Sequence, residues 1–292
     1  MHGTSTPVNE IPRGADRKQM KRAAVRRRYV DGRWGQIHLH IATPSNPTAR
    51  PVVCFHLSPG SGRMFEAFLG EIGHDRIACA PDTAGYGGSD PPPEPPALEE
   101  YAAALGDALD ALGFGEVDLV GAHTGSRLAV EVAHQRPDQV RGLALLGAAV
   151  YTEEERARQK VAFGPAPVEA DGGHLASKWT GWASWRWPGV SDEMIGRYAA
   201  DSVRDFGRSW WAHRAVFEHD MAARLAALDQ PVLVLCARDD IWEPTLRARR
   251  HIKNGRFVEL PDWGHWLWEV KTAEIAAMIR GFFDGGNAAA VI

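Results

Sequence analysis

Cysteine is scarce in this chain: three among 292 residues, with no CxxC pair. Cys54, Cys79 and Cys236 each lie in or beside a short β-like run. Buried free thiols in a reducing compartment are therefore expected, rather than a disulfide framework or a thiolate metal site. A charge excess is also lacking. Lys plus Arg number 33 against 37 Asp plus Glu, a formal net charge of -4. That balance argues against nucleic acid as the main partner. Long apolar runs are absent too. Segments such as 143–150 and 232–237 are far shorter than a bilayer span. No apolar stretch follows the basic N-terminus, so a secretory signal is not expected, nor a membrane partner, and the expected location is cytoplasmic. Low complexity is confined to the proline-rich stretch 91–96, which reads as a stiff loop. What is present is a normal globular mix, with 45% hydrophobic and 24% charged residues.

Residues 1–24 mix Gly, Pro, Ser and basic residues without a period and read as a basic N-terminal arm. From residue 25 the pattern is strand, turn, strand: 26–30 runs into Asp31-Gly32, and 36–41 alternates as the second half of a hairpin. Short apolar strands then alternate with helices. Strands are expected at 52–57, 76–80, 117–120, 140–146, 232–236 and 256–260. Helices are expected at 63–72, 98–112, from about 124 to 133, near 246, and at 272–283. Runs apolar on both faces imply a sheet covered by helices on both sides. The alternation implies mostly parallel pairing. It pauses over 151–228, which holds helical pieces and no comparable strand. The expected organisation is a core of 25–150 and 229–292, with 151–228 as an inserted helical cap.

The strand ending at Val120 runs into Gly121-Ala122-His123-Thr124-Gly125, and a helix follows. A residue between small neighbours on a tight strand-to-helix turn is thrown up and exposed. This turn resembles the nucleophile elbow of the α/β-hydrolase family, whose pattern is G-x-S-x-G. Other segments agree in order. His56-Leu57-Ser58-Pro59-Gly60-Ser61 is similar to the HG-x-P loop after the third strand. The stretch from Pro81 to Ser89 resembles the D-x-x-G-x-G-x-S loop. Ala237-Arg238-Asp239-Asp240 with Pro244 resembles the acid-bearing turn after strand seven, and Gly264-His265 lies where the family places its histidine. The resemblance covers roughly residues 25–285. It implies an α/β-hydrolase fold, with a mostly parallel eight-stranded sheet flanked by helices and a helical cap between strands six and seven.

The elbow departs from the pattern, because His123 occupies the position of the usual nucleophile. Thr124 and Ser126 are off the apex, so an acyl-enzyme route through serine does not follow. The resemblance implies His265 as general base and Asp240 as the acid that orients it, with Asp239 as the alternative acid. The backbone N–H groups of Ser58 and Thr124 would form an oxyanion hole. Three roles for His123 stay open: nucleophile or second acid/base, a binding residue beside an attacking water, or the mark of a site without catalysis.

A metal set of His123, His265 and Asp240 is chemically reasonable. It is left short of ligands, however, if Asp240 serves His265, and His56 could join only with its ring turned inward. No metal and no cofactor are therefore expected. A dinucleotide site is not expected either, since Gly60-Ser61-Gly62 is followed by Phe65 where a third glycine belongs. Six of the eleven tryptophans fall in the cap segment. Most such rings pack a core, but a subset is expected to line an apolar pocket. The expected substrate-binding residues are His56, Trp179, Trp182, Trp210, Trp211 and Trp266. His174, His213 and His219 are read as ordinary cap histidines. The expected function is cofactor-independent hydrolysis of a small, mainly apolar or aromatic ester or lactone. The alternatives are a lyase, isomerase or cyclase, or a binding protein without turnover. The expected partner is a small-molecule substrate, and a homodimer is left open.

Overall fold

A computed structural model describes residues 22–204 and 207–285. Most of the N-terminal arm assigned to 1–24 therefore lies outside the described residues. Eight strands form one sheet: β1 (Val25–Gly32), β2 (Gly35–Ala42), β3 (Val52–Phe55), β4 (Ala78–Pro81), β5 (Val117–Ala122), β6 (Val140–Leu146), β7 (Val232–Ala237) and β8 (Gly255–Leu260). Their order is β1-β2-β4-β3-β5-β6-β7-β8. The β1–β2 hairpin is antiparallel and β2 meets β4 antiparallel. All later pairs are parallel.

The central strands are apolar at every position because both faces of the sheet are covered. Side chains alternate between faces along a strand. Val53 and Phe55 of β3 join one core cluster, with α2 (Leu98–Ala111) and α3 (Thr124–Gln135). Val52 and Cys54 join the other, with α1 (Glu66–Ile72) and α11 (Thr272–Phe283). Each fully buried Val, Leu or Phe contributes about 1.5–3 kcal/mol. Leu98, Tyr101, Leu105 and Leu109 make the buried stripe of α2, as their spacing requires. All three cysteines are buried and unbridged. Burial raises the Cys54 thiol well above its ordinary value and pushes Cys79 up to about 12.

Between β6 and β7 the chain forms α4 (Glu153–Ala162), α5 (Gly173–Ser184), α6 (Asp192–Arg204), α7 (Trp211–Glu218) and α8 (Met221–Ala226). Thr152 starts α4 with a capping box: its hydroxyl accepts from the Glu155 N–H, and the Glu155 carboxylate accepts from the Thr152 N–H. After β7 come α9 (Trp242–Leu246), β8 and α10 (Leu267–Val270). No helix among the described residues is long and apolar enough to cross a membrane.

Candidate active site

Parallel register sets the site. Phe55 pairs with Gly121, Ala122 with Leu146, Leu146 with Leu235, and Ala237 with Leu260. The strands therefore end at one edge of the sheet. The loops leaving that edge carry Ser58, His123, Asp239, Asp240 and His265. A crevice outside the carboxyl ends of parallel strands is where open α/β sheets bind ligands.

His123 is the only non-glycine residue with positive φ among the described residues, at φ 52 and ψ -109. Such a conformation costs on the order of 1–3 kcal/mol and persists only where its surroundings enforce it. Here they do. The His123 N–H donates to the Leu146 carbonyl at 2.8 Å, and the His123 carbonyl accepts from the Ser126 N–H at 3.0 Å. The flanking glycines make the turn possible. A Cβ on Gly121 would lie 2.5 Å from the Gly125 carbonyl oxygen, and one on Gly125 would lie 1.9 Å from the Phe55 carbonyl oxygen. Ser126 is fully buried, and its hydroxyl donates to the Leu146 carbonyl at 3.1 Å. It is bound into the frame rather than presented as a nucleophile.

Each histidine has its own carboxylate. The Asp239 carboxylate accepts from His123 Nε2 at 3.0 Å and from the Ile241 N–H at 3.0 Å. Asp239 is buried. Asp240 Oδ1 lies 3.0 Å from His265 Nε2 and 3.9 Å from His123 Nδ1. The His265 contact is close but not aligned as a hydrogen bond, for both His265 nitrogens are buried without a hydrogen-bond partner. The two acids named as alternatives for one role thus divide between the two imidazoles. The rings lie 5.2 Å apart, tilted by 31°.

Burial works against a charged His123, but the adjacent Asp239 carboxylate and its hydrogen bond, with Asp240 behind them, raise its pKa above the usual 6.5. Burial also opposes the charged Asp240. The His265 contact and the His123 ring outweigh that and bring it down to about 2. Two imidazolium ions about 5 Å apart would repel strongly. The buried Asp239 carboxylate favours the charged form of the His123 ring.

The site opens on a cavity of about 390 Å³. Ser58, His123, Thr124, Asp240 and His265 all lie on its wall. Thr124 is the first residue of α3, so its N–H has no partner within the helix. The Ser58 hydroxyl is buried without a partner. Beside His265, Trp182 and Trp185 of the inserted segment also line the cavity, with ring centroids 6.0 and 4.7 Å from the imidazole. His213 also lines it, stacked on Phe163 at 4.5 Å. Burial pushes His213 down to about 4, so it stands neutral in the wall at neutral pH.

Several expected binding residues sit elsewhere. His56 is fully buried as a structural clip: Nδ1 donates to the Leu57 carbonyl at 2.6 Å, and Nε2 accepts from the Thr83 N–H at 2.9 Å. Both nitrogens are used, so the ring does not reach the cavity. Trp266 is core, packed against Trp182 and Tyr198, and its indole N–H donates to the Trp185 carbonyl at 2.9 Å. On α5 the cavity stripe is Lys178, Gly181 and Trp182, followed by Trp185. Trp179 lies one residue off that stripe, rotated about 100° away, and is 41% exposed. On α7 the stripe is His213, Val216 and Phe217. Trp211 is off it, and Trp210 precedes the helix. Sequence reasoning missed Trp185, Tyr151, Phe163, His213 and Arg127 as wall residues. For Trp185 and His213, helical period gave a usable signal once the helix was placed. For the others no local pattern distinguishes a wall from a core.

His123, Asp239, Asp240 and His265 each present a ligand atom within 4.8 Å of the others, a donor set able to hold a small cation. Against that use, Asp239 already binds His123 Nε2, and the positive end of the α3 dipole faces the site.

Comparison with known proteins agrees with this architecture. Residues 50–179 match the family model described as the alpha/beta hydrolase fold. The chain is 29% identical over 257 residues to lipase LipV of Mycobacterium tuberculosis, covering 84% of this chain and 96% of that protein. It is 28% identical over 232 residues to 2-hydroxy-6-oxo-2,4-heptadienoate hydrolase of Pseudomonas putida, covering 74% and 83%. Among solved structures, the enol-lactonase from Burkholderia xenovorans superposes with a TM-score of 0.73 at 17% identity, over 88% of this chain and all of that one. An esterase from Thermogutta terrifontis gives 0.71 at 22% identity, over 89% and 98%. Sheet order and these likenesses agree: the chain has the α/β-hydrolase fold.

Proposed function

We propose that this protein is a cofactor-independent hydrolase of a small, mainly apolar or aromatic ester or lactone, working through His123, Asp240 and His265 with Asp239 as support. The observation that carries the reading is the pairing of two histidine–carboxylate units at the strained elbow, at the wall of an aromatic-lined cavity. The relatives named as lipase and hydrolase support the reaction class.

The proposed mechanism places the proton on His123, beside Asp239. Neutral His265 takes a proton from water, and the water oxygen bonds to the carbonyl carbon. The oxyanion forms beside the free N–H of Thr124, with the Ser58 N–H as second donor. The C–O bond to the leaving group breaks, and the His123 imidazolium supplies the departing oxygen with its proton. His265 ends protonated and His123 neutral, and proton exchange through solvent resets the pair. No covalent intermediate is needed, which suits an apex without a hydroxyl or thiol. The two His–Asp units also favour, as a second reading, proton transfer at carbon, which would make the enzyme a lyase, isomerase or cyclase. Loss of turnover with retained binding is the third reading.

Both His265 nitrogens are buried, and the Trp185 ring lies 4.7 Å from the imidazole. The test is hydrolysis of a panel of short aryl and alkyl esters and lactones by wild type and His265→Ala, each with and without a chelator. The proposal expects wild-type turnover that survives chelation and falls by about 10²–10⁴-fold in the variant. Turnover equal in both proteins would overturn it. So would turnover abolished by the chelator, which would assign the four-residue donor set to a metal.

A further inference from the structure

Arg127 is a buried cation at the wall of the same cavity, and nothing in the proposed reaction uses it. It is 3% exposed. One Nη donates to the Ala149 carbonyl at 2.6 Å, and the other faces the His219 carbonyl at 3.3 Å and His219 Nδ1 at 3.4 Å. The guanidinium carbon stands 5.6 Å from the centre of the Tyr151 ring. These contacts are two backbone carbonyls, an imidazole nitrogen and a phenol ring. Among the described residues no carboxylate lies within ion-pair distance of Arg127. Glu131 lies beyond His219, 3.4 Å from its Nε2, and is already matched by Arg224 at 3.2 Å. Arg127 therefore holds a buried positive charge with no carboxylate of the described residues in ion-pair contact. Burial first, and the charge of Arg156 with it, lower its pKa to about 10 against the opposing pull of Tyr151 and the more distant Asp220 carboxylate, which still leaves it charged at neutral pH.

A buried charge is tolerated when something pairs it. Arg127 lines the cavity together with Ala149 and Tyr151, and no described residue accepts from its Nε–H. Lys178 also lines the cavity. The catalytic end, by contrast, carries Asp239 and Asp240. Arg127 follows His123 by four residues, which is about one helical turn or roughly 6 Å of rise along α3. The cavity is thus polarised: a positive pole under the inserted helices, and an acid/base pair one turn away.

We infer that Arg127 is the anion subsite of this cavity, and that the substrate is an apolar ester or lactone bearing a carboxylate that Arg127 receives while the reacting carbonyl lies at His123 and His265. A guanidinium with an available N–H suits a planar carboxylate. The inference deepens the hydrolase reading and rests on its assignment of the cavity as the active site, but its test does not depend on turnover.

The probes are 3-phenylpropionate and its methyl ester, of similar shape and different charge. Their binding is measured by quenching of tryptophan fluorescence in the full chain at pH 7, with wild type, Arg127→Met and Arg127→Lys. The expected result is that wild type binds the acid at least tenfold more tightly than the ester, that Arg127→Met loses this preference, and that Arg127→Lys keeps part of it. Equal affinity for acid and ester in wild type would overturn the inference, and that comparison stands even if the variants fail to fold. A preference that persists in a folded Arg127→Met would overturn it as well. The ester panel, extended to esters that also bear a carboxylate, separates the two proposals. Acid preference without any turnover upholds the subsite and refutes the hydrolase, whereas turnover without acid preference does the reverse.

Discussion

His123→Ala is expected to lower kcat/KM for ester hydrolysis by about 10²–10³-fold, equivalent to roughly 3–4 kcal/mol of transition-state stabilisation. The variant removes the proton donor for the leaving oxygen and leaves the backbone frame in place. Thermal stability should fall, by about 1–3 kcal/mol, because the turn strain resides in the backbone and remains while the buried Asp239 carboxylate loses its partner. The pattern across substrates is the informative part. Esters with poor leaving groups need the donated proton most, so alkyl esters should lose more than aryl esters with acidic phenols. A uniform loss across leaving groups would assign His123 to binding instead. His123→Ser asks a related question with the same frame. If it creates or greatly raises esterase activity, the elbow, oxyanion donors and His265 are intact, and histidine was suited to a different reaction. If it abolishes a native hydrolysis, the imidazole itself acts.

Gly125→Ala is expected to be the most damaging small substitution to the fold near the site. The added Cβ would lie 1.9 Å from the Phe55 carbonyl oxygen and 2.4 Å from its carbon. Both are backbone atoms of β3 and no side-chain rotation relieves them, so α3 and β3 must separate. Such overpacking costs about 3 kcal/mol or more, which for a domain of this size lowers Tm by roughly 6–12 °C. Gly115→Ala is the control, since nothing lies within 4 Å of its added Cβ, and it should fall within about 0.5 kcal/mol of wild type. A Gly125→Ala protein melting with wild type would show that the elbow is looser than the register of β3 and β5 indicates.

Much of the fold was legible because burial writes itself into the sequence. Strands covered on both faces read as short apolar runs, and β3, β5, β6 and β7 were each placed within one or two residues of their ends. The helix expected at 63–72 begins instead as a 3-10 turn at Gly62–Phe65 before α1, a distinction that hydrophobic period does not make. The elbow was legible for a different reason: Gly121 and Gly125 are forced by contacts on both sides. What sequence order did not convey was side-chain direction. Asp239 and Asp240 are neighbours on one turn, and which acid meets which histidine depends on how β7 delivers them relative to β5 and β8. His56 reads as a site residue in a loop motif, but both its nitrogens serve that loop. Trp266 is adjacent to His265 yet projects into the core. Arg127 resembles any helical arginine until the surrounding atoms show that no described acid pairs with it.

The central claim is that the shared proton sits on His123 because Asp239 holds it there. The most direct measurement is kcat/KM against pH for wild type and Asp239→Asn, with the His123 ring titration followed by NMR in both. With Asp239 present, the His123 pKa lies above 6.5. The acid form needed for leaving-group protonation is then present below that pKa and is lost as pH rises through it. Removing the carboxylate leaves burial in control, and burial disfavours the imidazolium. The account predicts that the basic limb of the profile and the His123 titration move together to lower pH in Asp239→Asn, by on the order of one unit or more. A basic limb that stays in place while the His123 titration moves would contradict it, because the proton that matters would then reside on another group.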